Sequence, residues 1–144
     1  YGDWSSDVCS SDLVNVGNMH VLGFVLDGTR VRALFEHHSG EVTPESLAAM
    51  VRALLDGTLT NDAVFSSQGH GALFVEPGPF EVDVLAVTGP QRERMLPALR
   101  AAGLPRVHAA APHGDMMITG CFGLLDGFAY RVPEAREAVE RLHH

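Results

Sequence analysis

The chain has 144 residues, 46% of them hydrophobic and 19% charged, a balance that suits one domain with a buried core. Its net charge of −8, with ten arginines, no lysine and no basic cluster, argues against a nucleic-acid or anionic-membrane partner. It has no apolar run of the roughly 18 residues that a membrane helix needs and no stretch resembling a secretory signal, so the expected setting is cytoplasmic.

The opening YGDWSSDVCSSDL carries an SSD near-repeat and no helical or strand period. It resembles the translated sequencing-adapter tail that recurs at the ends of metagenomic reading frames. Residues 1–13 are therefore set apart as a non-native tail and residues 14–144 as the domain. Cys9 goes with the tail, which leaves Cys121 as a single thiol: no disulfide framework, and a reducing compartment.

A first strand, Leu13 to Val16, breaks at Gly17-Asn18, a pair suited to a tight turn. The second, His20 to Leu26, is apolar on both faces and belongs inside a sheet. Asp27-Gly28 is a hairpin signal, and the third strand, Arg30 to Glu36, puts Val31, Ala33 and Phe35 opposite Arg30, Arg32 and Glu36. That half-solvated pattern places it near an edge. Thr43-Pro44-Glu45 starts a helix whose buried stripe is Leu47, Met50, Val51, Leu54 and Leu55, and Gly57 closes it. Thr60 to Phe65 reads as a short helical turn, Gln68 to Gly71 as loop, and Ala72 to Val75 as a brief strand before the Pro77-Gly78-Pro79 breaker. Val82 to Val87 has the continuous apolar run of a buried parallel strand. The spacing then predicts a helix over Gln91–Ala102, a strand over Arg106–Ala110, an apolar helix over Met116–Phe128 and a terminal amphipathic helix over Pro133–Leu142.

This order implies an α/β fold with a mixed five-stranded sheet: three antiparallel strands, then a right-handed crossover to strands parallel to the first. The spatial order becomes third, second, first, fourth, fifth, a ribonuclease-H-like arrangement. The carboxyl ends of the first, third, fourth and fifth strands then share one edge, where ligands of open α/β sheets bind. On that rim lie Asn15, Gly17, Asn18 and His20; Glu36, His37 and His38; Thr88 and Gly89; and His113, Gly114 and Asp115. Every conspicuous polar motif except the His70 loop falls there.

Two chemistries suit such a rim. Backbone N–H groups of the Gly turns, with Asn15, Gly17, Asn18, His20, Thr88, Gly89, His113 and Gly114, suit a nucleotide or other small phosphorylated ligand. Glu36, His37 and His38 suit a metal-dependent enzyme, with His37 and His38 as metal ligands and Glu36, His37 and Asp115 as catalytic groups. The third and fifth strands stand roughly 19 Å apart at about 4.8 Å per step, so His37 and His113 share a metal only if loops converge. Asp115 also suits the cap of the next helix, and His70 reads as a loop residue. A third possibility is a regulatory protein that keeps the fold without chemistry.

The blocks VNVGNMHVLGF, LFEHHSG, DGTLTN, GHGALFVEP, VLAVTGPQR and APHGDMMITGCFGLL resemble, in order, a prokaryotic family labelled "putative pyruvate formate-lyase-activating enzyme". That family is similar to the actin, Hsp70 and sugar-kinase group of ATPases. The resemblance implies a C-terminal half-domain whose N-terminal half, with its own phosphate turn, is missing, and ATP or another nucleotide with Mg²⁺ as the ligand. Asn15 and His20 stand where that group carries Asp and a hydroxyl residue, so binding is expected more than hydrolysis. The labelled activity requires three clustered cysteines for an iron-sulfur cluster, and none is expected from this stretch.

Overall fold

The computed structural model describes residues 11–111 and 117–143. It divides into two compact units, one ending at Ala109 and one beginning at Ala110.

The first unit runs β1 (Ser11–Val16), β2 (His20–Asp27), β3 (Arg30–His38), α1 (Pro44–Leu55), α2 (Asn61–Ser66), β4 (Gly71–Phe74), β5 (Val84–Thr88), α3 (Arg92–Ala101) and β6 (Arg106–Ala109). One mixed sheet holds all the strands in the order β4-β3-β2-β1-β5-β6. β1, β2 and β3 are successively antiparallel, while β5 and β6 are parallel to β1. The expected order of five strands is present, but the sheet has six. Gly71–Phe74 pairs antiparallel with β3, from Glu36↔Gly71 to Ala33↔Phe74. β3 is therefore an interior strand, because its outer row of backbone groups finds partners on β4. β1 also begins earlier than expected, at Ser11 rather than Leu13, so Ser11 and Asp12 are part of the sheet. Residues 1–10 of the supposed tail lie outside the described residues.

One face of the sheet carries Val14, Val16, Val21, Val25, Ala33, Phe35, Leu85 and Val87 into a core shared with Leu47, Val51 and Leu54 of α1 and Met95 and Leu99 of α3. Strand alternation dictates this division of the residues. The Phe35 ring occupies the space that a side chain on Gly23 would fill, which explains a glycine inside an otherwise apolar strand. Thr43 caps α1 reciprocally: its Oγ1 accepts from the Ser46 amide at 3.1 Å, and Ser46 Oγ accepts from the Thr43 amide at 2.9 Å.

The second unit contains α4 (Thr119–Arg131), a 3₁₀ turn at Pro133–Ala135, α5 (Arg136–Glu140) and a last 3₁₀ turn at Arg141–His143. The expected continuous terminal helix is thus broken into short pieces. α4 runs three residues past its expected end, and Val132, at φ −123°, leaves the helical region before Pro133 restarts the chain. No helix among the described residues is long and apolar enough to cross a membrane.

Candidate functional site

β1, β3, β5 and β6 run in one direction, so their carboxyl ends do lie along a common sheet edge. β4 is antiparallel to β3, so it is the start of β4 that reaches the same edge. That pairing carries the preceding residue, His70, to the rim. The loop expectation for His70 missed this, since no local pattern states which strand a four-residue segment will join.

Three histidines meet there. His20 opens β2, His38 closes β3, and the two are cross-strand partners. Their ring centroids are 5.2 Å apart, and His70 lies 5.0 Å from His20 and 4.4 Å from His38. One ring nitrogen from each falls within 4.8 Å of the others. A tetrahedral ion with metal–nitrogen bonds near 2.05 Å needs its ligand nitrogens about 3.3 Å apart. The three rings would have to draw closer together to hold such an ion.

Glu36 sits two residues before His38 on the same face of β3, and its Oε1 is 2.6 Å from His20 Nδ1. A carboxylate in that position accepts the Nδ1–H, fixes the tautomer and leaves Nε2 as the nitrogen that can bind a cation. Glu36 also anchors His70 through its main chain, its carbonyl accepting from the His70 amide at 2.9 Å.

His37 points the other way. It is 1% exposed and lies on the core side of β3, because neighbouring residues of a strand face opposite sides. Its Nε2 lies 3.1 Å from Ser67 Oγ and its Nδ1 3.2 Å from the His38 carbonyl. Ser67 Oγ in turn lies 2.8 Å from the Val64 carbonyl, to which it donates. His37 thus ties β3 to the end of α2, and the adjacent pair His37-His38 does not converge on one ligand. The loop beyond is tightly set: Gln68 adopts φ +70°, and the Gly69 amide donates to the Val64 carbonyl at 2.9 Å. A Cβ on Gly69 would stand 2.6 Å from His37 Cδ2 and 2.9 Å from the Val64 carbonyl oxygen. Gly69→Ala is therefore expected to push the loop outward, destabilise the unit by about 1–3 kcal/mol and loosen whatever His70 helps to hold. Urea denaturation and metal titration of the variant check this; unchanged values for both contradict the packing argument.

The Asn and Gly residues occupy a different part of the rim. Thr88 ends β5 and Gly89 follows it, two strands away from His20 and so roughly 10 Å off. Gly17 donates its amide to the His20 carbonyl at 2.9 Å and accepts at its own carbonyl from Ser39 Oγ at 2.7 Å. Gly89, at φ +95°, packs against the Val16 carbonyl and Asn15, where a side chain has no room. Gln91 donates its amide to Val16 and its side-chain NH₂ to Asn18 Oδ1, both at 3.0 Å. Asn15 is exposed, and Thr88 is buried, its hydroxyl without a partner among the described residues. Gly17 and Asn18 are thus engaged in hydrogen bonds of the turns themselves. His113, Gly114 and Asp115 lie outside the described residues.

The model of the family described as "Putative pyruvate format-lyase activating enzyme (DUF1786)" matches residues 5–94, which include all of the histidine cluster. No curated protein matches the chain.

Proposed function

From the premise that the chain belongs to this family, which the match over residues 5–94 establishes, we propose that the unit is a metal-binding domain of a metal-dependent enzyme, holding a divalent transition ion through His20, His38 and His70. The observation that carries this reading is the convergence of three imidazole nitrogens, within 4.8 Å of one another, from three separate chain segments. Neutral imidazole is a common ligand for Zn²⁺ and its neighbours, and three protein ligands with a position left open is the pattern of catalytic rather than structural zinc sites. A Zn²⁺ ion held there would lower the pKa of a bound water towards neutrality. Within the chain, Glu36 orients His20 through Nδ1, and β4 delivers His70.

The strand order supports a ribonuclease-H-like reading of the fold, and with it kinship to the actin-like ATPases. A nucleotide at the rim gains less support. The Gly17 amide is already donated to the His20 carbonyl, and the Gly89 turn is packed on β1. The activity in the family's description calls for an iron-sulfur cluster held by at least three cysteine thiolates. The chain has two cysteines, Cys9 and Cys121, so its donor set does not fit that group.

Calorimetric titration with Zn²⁺ and visible spectroscopy with Co²⁺ test the proposal. One equivalent of each is expected to bind, with the intense bands of four-coordinate Co²⁺. Absence of saturable binding, or only the weak spectrum of a six-coordinate ion, rules the site out.

A further inference from the structure

A cleft of about 230 Å³ opens beside the cluster, lined by Leu34, Glu36, Asn61, His70 and Leu73 together with the β4 backbone. Two of these residues, Glu36 and His70, also belong to the histidine site, so the cleft and the cluster share a wall. Leu34 and Leu73 are cross-strand partners on β3 and β4, and Leu73 is 56% exposed. Exposed leucine on a short edge strand is costly to leave in water and an aggregation liability, and β4 keeps it beside a polar site. The Asn61 carbonyl oxygen accepts from the Ala72 amide at 3.3 Å, which leaves its NH₂ as the group to offer a ligand. No arginine lines the cleft, so no guanidinium is there to pair with a chain of phosphates.

We infer that this cleft seats a small acyl-type ligand: one carboxylate, hydroxamate or carbonyl oxygen on the metal, an NH₂ contact from Asn61, and a short aliphatic arm on Leu34 and Leu73. The inference rests on the metal reading above and adds the substrate class to it. The metal supplies the positive charge for one oxygen donor, the paired leucines supply the chain-length preference, and a chain of phosphates would find no side-chain cation in the lining.

The test uses the full chain loaded with Co²⁺ and two probes, acetohydroxamate and hexanohydroxamate, whose binding is read from the shift of the visible bands. Hexanohydroxamate is expected to bind about tenfold more tightly, the gain from partly burying its extra methylenes. Leu73→Asp, which alters no nitrogen of the cluster, is expected to remove that difference while the Co²⁺ spectrum persists. Equal affinities in the parent chain, an unchanged preference in Leu73→Asp, or tighter binding of pyrophosphate than of either hydroxamate overturns the inference and leaves the metal site standing. Failure of Co²⁺ to load overturns the metal reading, and the inference falls with it.

Discussion

Asp12→Val is expected to stabilise the domain by several kcal/mol near pH 8 and to flatten the dependence of its stability on pH. Asp12 sits in β1 on the side of Val14 and Val16, is fully buried, and neither of its carboxylate oxygens has a hydrogen-bond partner among the described residues. Burial disfavours the charged form and pushes the carboxyl up from 3.8 to about 8, the Leu13 backbone offsetting a little of this. The sign follows from the proton count. Below about pH 4 both folded and unfolded chains hold the proton, and the group adds no pH dependence. Between that point and about pH 8 the unfolded chain has released its proton while the folded chain retains it, so stability falls as pH rises. Above about 8 both are ionised and the loss is complete, on the order of 5 kcal/mol from the size of the shift. Valine removes this loss and adds apolar burial beside Val14. Urea denaturation at pH 5 and pH 8 measures the effect, with Asp12→Asn as the control that removes the charge but keeps a polar group. Equal stability of the parent chain at the two pH values would show that Asp12 is solvated.

His38→Ala and His37→Ala are expected to fail in opposite ways, although the residues are adjacent. His38 belongs to the proposed metal site and lies partly exposed at the sheet edge, so its loss should weaken Zn²⁺ binding by at least a hundredfold and cost about 0.5 kcal/mol or less in stability. His37 lies in the core against Ser67, and truncating it leaves a cavity and the Ser67 hydroxyl one partner short. That should cost about 2–4 kcal/mol while the metal stoichiometry stays at one. His37→Gln, which keeps an amide near Ser67, guards against loss of the folded state. Paired denaturation and Zn²⁺ titrations separate the two positions, and a loss of metal in His37→Gln equal to that in His38→Ala would mean that the strand faces are wrongly assigned.

The hairpin triplet, the cap at Thr43, the stripe of α1 and the parallel order of β1, β5 and β6 were legible in the residues, because alternation, helical spacing and turn chemistry act over a few positions. His20, Glu36 and His38 were likewise readable as rim residues, each being near a strand end. Asp12 could have been placed as well, since the alternation of Val14 and Val16 runs back to it; excluding the tail as far as Leu13 hid a buried carboxylate. Other features were decided only in three dimensions. Whether Gly71–Phe74 would pair, and with which strand, depended on β3 having a free edge and on Asn61 holding the Ala72 amide. That one pairing made β3 an interior strand, brought His70 to the rim and exchanged the expected His37-His38 pair for His20, His38 and His70. Neighbours in sequence part to opposite faces of a strand, whereas residues 32 positions apart meet when antiparallel pairing brings a loop to the same edge.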